Sequence, residues 1–223
     1  FGEARPVSIP VDASSGFQLT LAHLEAHASS TTRAVLIASP SNPTGTLIAP
    51  DELTRIRDWC RARDVALIVD EIYLGLSYDT EEFSAARWNE VYVVNSFSKY
   101  FQMTGWRLGW LLAPAWALPD LERLAQNLFL AAPTPAQHAA LAAFSPATLD
   151  ELEARKAELR DRRDYLLPAL RERGFVIPVQ PQGAFYLYAD CSRFTEDSQA
   201  FAGQLLDHVG VAATPGIDFG THP

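Results

Sequence analysis

The sequence VALIVDEIY, residues 65–73, joins a short apolar run to two acidic residues and a tyrosine. Similar runs occur at 33–39, RAVLIAS, and at 91–94, VYVV. Each run is too short for a helix and is flanked by polar or turn residues. Unbroken runs of Val, Ile and Leu are typical of parallel strands that are covered on both faces of a sheet. The sequence therefore predicts three buried parallel strands.

A helix is predicted between the first two of these strands. It begins at Pro50, a residue favoured in the first helical turn, and the acidic Asp51 and Glu52 suit the positive end of the helix dipole. Apolar residues then follow at the three-to-four spacing of one buried face: Leu53, Ile56, Trp59 and Cys60. The order strand, helix, strand indicates an α/β fold.

The rest of the chain predicts a further strand and several helices. The strand falls at 105–114, helices fall near 115–130, 135–144 and 198–209, and short strands fall at 175–179 and 184–189. Leucines punctuate a charged helix over 148–173, which Pro168 should kink and Gly174 should end. We therefore expect residues 1–147 to be part of a large domain with a mostly parallel sheet flanked by helices. Residues 148–173 would form a connecting helix, and 174–223 part of a small α+β C-terminal domain.

Composition excludes several classes of function. Among 223 residues, 18 Lys plus Arg face 27 Asp plus Glu, a formal net charge of −9, and 48% of positions are hydrophobic. A basic surface for nucleic acid is not expected, and no apolar run approaches the roughly 20 residues that cross a membrane. The two cysteines, Cys60 and Cys191, are far apart and form no metal-binding pattern, so we expect no metal and a reducing cytoplasmic setting.

Polar residues follow each of the three predicted strands, at 39–45, 70–73 and 95–99. Open parallel sheets bind ligands beyond the carboxyl ends of their strands, so these residues form the candidate site. Lys99 is one of only two lysines in the chain, and it lies among Phe97, Tyr100 and Phe101. Desolvation by such neighbours can make a lysine amine available as a nucleophile.

Each of these features also has a plain structural explanation. On local spacing alone, Lys99 could be an exposed lysine after a strand, and 42–45 could simply be a good turn. The run before Asp70 could also be a Walker B strand, although no GxxxxGK[ST] motif occurs in the chain.

Three motifs in this order settle the choice between these explanations: SNPTG at 41–45, VDEIY at 69–73 and SFSKYFQMTGWRLGW at 96–110. Together they resemble the large-domain signature of fold-type I pyridoxal-phosphate enzymes, specifically the class I/II aminotransferases. Further similarity covers nearly the whole chain, with GFQLTLAHLE at 16–25, PQGAFYLY at 181–188 and TPGIDFG at 214–220. The family's chains begin before Phe1 and continue beyond Pro223, so we expect this sequence to lack N-terminal and extreme C-terminal parts.

The resemblance implies a role for each site residue. Lys99 matches the lysine that forms the internal aldimine with pyridoxal 5′-phosphate and then shuttles a proton, and Asp70 matches the partner of the pyridine nitrogen. Asn42 and Tyr73 match the donors to the ring's phenolic oxygen. The phosphate-binding residues of the family are matched by Ser96, Ser98 and Arg107. We also expect the Asn42–Pro43 peptide bond to be cis.

The activity implied is transfer of an amino group from an amino acid to a 2-oxo acid. Two alternatives stay open, because the same residues serve carbon–sulfur β-lyases and also the effector-binding modules of aminotransferase-like transcription regulators. The resemblance further implies a homodimer, with no nucleic acid and no membrane as partners. The family's arginine for the substrate carboxylate lies beyond Pro223, so no residue here receives that role.

Overall fold

In a computed structural model, which describes residues 4–220, four strands form one sheet. The strands are β1 (Ala34–Ala38), β2 (Ala66–Asp70), β3 (Tyr92–Ser96) and β4 (Gly109–Leu112), in the order β1-β2-β3-β4. The first three are parallel, and β4 is antiparallel to β3. The three parallel strands predicted from the apolar runs are therefore confirmed, and so is the mostly parallel sheet.

Two helices, α1 (Leu21–His27) and α2 (Pro50–Ala62), pack on one face of this sheet. Helix α2 begins at Pro50 as predicted, and the Glu52 carboxylate accepts the Leu21 N–H at 2.5 Å, which ties the two helices together. The core between helices and sheet is formed by every second strand residue and by the predicted apolar face of α2: Val35, Ile37, Leu67, Val69, Val93, Leu53, Ile56, Trp59 and Cys60.

The opposite face of the sheet differs from the prediction. We expected both faces to be covered, but within residues 4–220 Leu36 is 71% exposed, and Val94 and Leu111, which lie on the same face, are also exposed. The difference arises because α1 and α2 both lie on the same side of the sheet. An apolar sheet face is therefore accessible in the described part of the chain.

The remaining helices are α3 (Leu118–Leu128), α4 (Thr134–Ala143), α5 (Pro146–Glu172) and α6 (Ser198–Val209). Short 3-10 turns lie at Ala13–Ser15, Ala85–Arg87, Thr104–Trp106, Ala115–Ala117 and Gly216–Phe219. Helix α5 continues through Pro168 and ends before Gly174, whose φ of 96° favours glycine. The prediction that Gly174 terminates this helix is confirmed.

The two short strands predicted in the tail do not form. Where they were expected, the described residues contain single antiparallel bridges, Val176 with Asp190 and Gly183 with Ser77. The physical reason lies in the backbone hydrogen bonds of residues 182–184, which go to two loops beside the sheet rather than to a neighbouring strand in the tail. This arrangement brings the tail to the edge where the polar residues lie.

Candidate active site

The carboxyl ends of the three parallel strands meet at one edge of the sheet. Ala38 of β1 pairs with Asp70 of β2, Asp70 pairs with Val94 of β3, and β3 ends two residues later at Ser96. The Asp70 carboxylate is half-buried and accepts the N–H of Ile72 at 3.0 Å. The sheet therefore directs the polar residues after each strand to a common edge, as the sequence predicted.

The turn after β1 carries Asn42 and is held from both sides. The Asn42–Pro43 peptide bond is cis, which confirms the expectation. Gly45 has a φ of 66°, and a side chain there would place a Cβ atom 2.6 Å from Pro181 Cβ and 2.7 Å from the Gly183 carbonyl oxygen. Only glycine fits this close approach, so the turn and the distant segment around 181–183 are packed backbone against backbone.

Lys99 lies under two aromatic rings. Its Nζ is 5.4 Å from the centre of the Tyr73 ring and 5.7 Å from the centre of the Phe185 ring. Such distances allow a cation–π contact between the lysine and each ring. Lys99 forms no salt bridge with any residue of the described range 4–220, whereas Lys156 lies within 4.0 Å of Glu82 and Glu153. The two lysines therefore have different environments, and the amine of Lys99 is the one without a carboxylate partner.

Tyr73 is the best-buried of the predicted site residues, with 4% of its surface exposed. Its hydroxyl is hydrogen-bonded to that of Tyr186, 113 positions further along the chain. Burial raises the pKa of the Tyr73 hydroxyl. The neighbouring Tyr186 and the Asp70 carboxylate raise that pKa further, whereas Asn42 lowers it. The Tyr73 phenol is therefore kept protonated, and it is the residue around which Asn42, Asp70, Lys99 and Tyr186 gather.

The two serines after β3 form a hydroxyl pair. Ser96 Oγ lies 2.8 Å from Ser98 Oγ and accepts the Ser98 N–H at 3.0 Å. Paired hydroxyls on a tight turn are suited to an anion. The turn is reinforced by Thr104, whose hydroxyl donates to the Ser98 carbonyl at 2.6 Å.

Arg107 approaches this turn from outside. Its side chain is exposed, and Nη1 donates to the Thr104 carbonyl at 2.8 Å. The backbone of Arg107 is left-handed, with φ 53° and ψ 52°, a conformation that costs a non-glycine residue about 1–2 kcal/mol. No direct hydrogen bond joins the guanidinium to Ser96 or Ser98 in residues 4–220. Thr104 therefore connects the arginine to the turn that carries these two serines, which we call the serine turn.

Phe185 and Tyr186 are the site residues that the sequence did not indicate. Their segment is held by backbone hydrogen bonds: Gln182 and Gly183 donate to the Gly45 carbonyl at 2.8 and 2.9 Å, and Ala184 donates to the Leu76 carbonyl at 2.8 Å. Although PQGAFYLY supported the family resemblance, no spacing connects it to the residues after the strands. Only its aromatic content could have drawn attention to it.

A buried carboxylate lies directly beside Asp70. Glu71 is 2% exposed and accepts the Ala85 N–H at 2.6 Å and the Ser84 hydroxyl at 2.7 Å. Burial raises the pKa of Glu71 above its ordinary 4.5, although the hydrogen bonds from Ala85 and Ser84 oppose part of that effect. Glu71 therefore fixes the end of β2 to the turn at Ala85–Arg87, and it faces away from the candidate site.

The charged groups at this edge fit pyridoxal 5′-phosphate. Within residues 4–220, Asp70, Lys99 and Arg107 each lack a salt-bridge partner, although every one of them carries a formal charge. A carboxylate suits a protonated ring nitrogen, an amine suits an aldehyde carbon, and hydroxyls with a guanidinium suit a phosphate. The donor set therefore offers one partner for each polar part of this cofactor.

Two grooves lie elsewhere on the molecule. One, of about 580 Å³, is lined by Tyr100, Phe101, Trp110 and Phe144, and the other, of about 380 Å³, lies between Tyr78 and α5. Neither groove contains a predicted site residue. In the described chain there is no cluster of three metal-ligating side chains, and none of its helices combines the length and apolarity that crossing a membrane requires.

Comparison with known proteins agrees with the motifs. The profile of the family described as aminotransferase class I and II matches residues 2–223. The chain is 45% identical to valine–pyruvate aminotransferase of Mycobacterium tuberculosis, covering 96% of this chain and 56% of that protein. It is 35% identical to arginine–pyruvate transaminase AruH of Pseudomonas aeruginosa, covering 97% and 56%.

Solved structures give the same result. An aminotransferase from Mycobacterium tuberculosis superposes with a TM-score of 0.91 at 45% identity, over 96% of this chain and 56% of the other. The aromatic aminotransferase from Pyrococcus horikoshii superposes with a TM-score of 0.90 at 32% identity, over 97% and 60%. The chain thus spans little more than half the length of the proteins that it matches.

Proposed function

Because the chain belongs to the aminotransferase class I and II family, we propose that its full-length protein is a pyridoxal-phosphate-dependent aminotransferase. It would move an amino group from an amino acid to a 2-oxo acid in two half-reactions. The observation that carries the proposal is the gathering of a carboxylate, an amine without a carboxylate partner and a hydroxyl pair at one edge of the sheet.

Each residue at this edge would hold one part of the cofactor. Ser96, Ser98 and Arg107 would bind the phosphate, Asp70 would pair with the ring nitrogen, and Asn42 and Tyr73 would donate to the ring oxygen. The cofactor supplies a carbonyl for amine exchange and a protonated ring that stabilises negative charge at the substrate α-carbon. A hydrogen bond within the turn holds Ser96 and Ser98 together, and burial restrains Tyr73, which supports a preorganised site.

Lys99 would hold the cofactor and act as the base of the reaction. Once a substrate amine has displaced it, the Lys99 Nζ can take a proton from the substrate α-carbon and return it to another atom. The aromatic rings of Tyr73 and Phe185 lie beside this nitrogen, at 5.4 and 5.7 Å. The absence of a carboxylate partner for Lys99 within residues 4–220 leaves its amine free for these roles.

We further propose pyruvate as one amino acceptor, because the two relatives named above both carry it in their names. Valine and arginine are the amino donors to test first. We also propose that the full-length protein is a cytoplasmic homodimer. Within this chain, residues 1–147 would be part of the large domain, 148–173 the connecting helix and 174–223 part of the small domain. The exposed apolar side chains of Leu124, Leu128 and Phe129, at the C-terminal end of α3, support a protein–protein contact surface there.

Borohydride reduction of the full-length protein with bound cofactor tests the proposal. We expect peptide mapping to find the label on Lys99, and none on Lys156, the only other lysine of this chain. Lys99→Ala should abolish turnover and retain part of the cofactor affinity through the serine turn. Lys156→Ala serves as the matched control, because its partners Glu82 and Glu153 lie away from the site. Label on Lys156, or on no lysine, would contradict the proposal.

A second measurement separates transamination from the β-lyase alternative. The protein is mixed with one amino acid at a time, and both the loss of the cofactor's aldehyde-form absorbance and the release of ammonia are followed. Transamination gives the pyridoxamine form without free ammonia, whereas a lyase gives pyruvate and ammonia with the cofactor unchanged. Binding without either product would favour the regulator module.

A further inference from the structure

We propose that Tyr186 is a positioning residue for this reaction, whose hydroxyl directs the hydroxyl of Tyr73 toward the cofactor. The inference rests on the proposed function and adds to it a residue far from the three motifs. Its basis is the direct hydrogen bond between the two phenols, together with the way in which the backbone fixes Tyr186.

The two rings are held in a fixed relation. Tyr73 and Tyr186 pack edge to face, with centroids 5.5 Å apart and planes at 77°. The residues before Tyr186 are anchored twice at Ala184, whose N–H donates to the Leu76 carbonyl at 2.8 Å and whose carbonyl accepts the Tyr78 hydroxyl at 2.5 Å. Tyr186 therefore meets Tyr73 from an anchored backbone, and not as a mobile surface side chain.

The hydrogen-bonding capacity of a phenol explains what this contact does. A tyrosine hydroxyl has one proton to donate and two lone pairs that accept. When a ligand oxygen accepts the proton of Tyr73, the Tyr186 hydroxyl must be the donor of the bond between the two phenols. Among residues 4–220, Tyr186 makes no other hydrogen bond through its hydroxyl, so its proton is available for that bond. Chains of this kind polarise each member, and Tyr73 becomes a better donor.

Burial favours the same orientation. With Tyr73 only 4% exposed, water cannot compete freely for its hydroxyl, and Asn42 approaches it from the turn after β1. Because its surroundings raise the pKa of Tyr73, the phenol stays protonated over the working range and keeps a proton to donate. The remaining direction for that proton is toward the edge where Asp70 and Lys99 lie.

Four variants of the full-length protein with bound pyridoxal phosphate test the proposal: Tyr186→Phe, Tyr73→Phe, the double variant and Tyr188→Phe. The readout is the apparent pKa of the cofactor's visible absorbance, which follows the charge on the cofactor rather than turnover. Donation by Tyr73 stabilises the deprotonated form of the bound cofactor, so a weaker donor raises this pKa. We expect Tyr186→Phe to raise it by about half a pH unit, as a hydrogen bond of ordinary strength implies.

The other variants define the mechanism of the shift. Tyr73→Phe should raise the apparent pKa by more than Tyr186→Phe does, and adding Tyr186→Phe to Tyr73→Phe should change it no further, because the effect passes through Tyr73. Tyr188→Phe is the matched control in the same segment. The Tyr188 ring packs on Phe17 and Phe219 instead, so the apparent pKa of the cofactor in this variant should equal that in the wild type.

Two results would overturn the inference, and they can be told apart. The first result requires that borohydride labels Lys99 in the wild type. If Tyr186→Phe then leaves the apparent pKa of the cofactor unchanged, or shifts it equally in the wild-type and Tyr73→Phe backgrounds, Tyr186 does not act through Tyr73. The proposed function stands in that case. If the wild type does not carry the cofactor on Lys99, the proposed function is wrong and this inference is wrong with it.

Discussion

Replacing Arg163 of α5 with methionine should weaken the segment that delivers Phe185 and Tyr186 to the site. The Arg163 side chain is 7% exposed, and Nη1 donates to the Pro181 carbonyl at 3.0 Å. Nη2 lies 2.8 Å from Asp79, and Nε lies 2.7 Å from Asp164. The guanidinium also lies over the Tyr78 ring at 5.0 Å. One buried arginine thus joins α5 both to Pro181, at the start of the segment that leads to Tyr186, and to the loop at Tyr78 and Asp79.

The expected loss of stability follows from these contacts. Leaving the Pro181 carbonyl without its donor costs about 1–3 kcal/mol, and loss of the cation–π contact costs about 0.5–1 kcal/mol. Asp79 and Asp164 are 59% and 50% exposed, so solvent screens both ion pairs, and each contributes at most about 1 kcal/mol. Methionine keeps much of the apolar packing. We therefore expect Arg163→Met to lower the free energy of unfolding by about 2–4 kcal/mol.

The measurement is urea unfolding of the full-length protein, followed by tyrosine and tryptophan fluorescence. At a slope near 3 kcal/mol per molar, the expected loss lowers the midpoint by about 1 M. Arg160→Met is the matched control, since Arg160 lies 3.7 Å from the same Asp79 but is 44% exposed. Its loss should stay below about 1 kcal/mol. Equal losses for the two variants would refute the reasoning, because they would mean that the buried contact with Pro181 adds nothing.

Two further predictions concern the carboxylates at the end of β2. Asp70→Asn should lower the rate of transamination by about 10- to 100-fold, which is the cost of a lost charged hydrogen bond, and should change the cofactor dissociation constant less. Stopped-flow absorbance measures the rate, and titration with cofactor measures the dissociation constant. The exposed Asp64→Asn is the control. Wild-type turnover in Asp70→Asn would contradict the pairing with a ring nitrogen. Because burial raises the pKa of Glu71, the folded state disfavours its carboxylate, and its contribution to stability is fully present below pH 4.5 and is lost as pH rises toward the raised folded-state value. As pH rises above 4.5, the Glu71→Gln variant should therefore lose less stability than the wild type in urea unfolding. An identical pH dependence would show that Glu71 titrates as it does in the unfolded chain.

The parallel strands were predictable because apolar runs are a local property of the sequence. Their ends also brought Asp70, Tyr73 and Lys99 to one edge, since parallel strands share the direction in which they end. Contacts that join distant segments were not predictable. The bond from Tyr73 to Tyr186 spans 113 positions, and no periodicity or spacing reports it.

The tail shows why an apolar pattern alone was insufficient there. Residues 184–189 have the composition of a strand, but a strand requires a neighbour for its backbone, and Ala184 finds that neighbour in the loop at Leu76. The open face of the sheet has a similar cause. The pattern of β1 indicates that both faces are apolar, but it does not reveal where helices will pack, and Leu36 is consequently exposed in the described chain.

The Gly45 carbonyl links these observations to the chemistry. It accepts hydrogen bonds from both Gln182 and Gly183, and the absence of a side chain at Gly45 lets the two backbones approach. A shift of the 182–186 segment would therefore disturb the turn that carries Asn42 as well as the hydroxyl of Tyr186. Both residues act on the Tyr73 hydroxyl, from opposite ends of the chain. The geometry of this single phenol depends on a backbone contact that contains no catalytic group, so packing variants at a distance should change the titration of the bound cofactor before they change its attachment to Lys99.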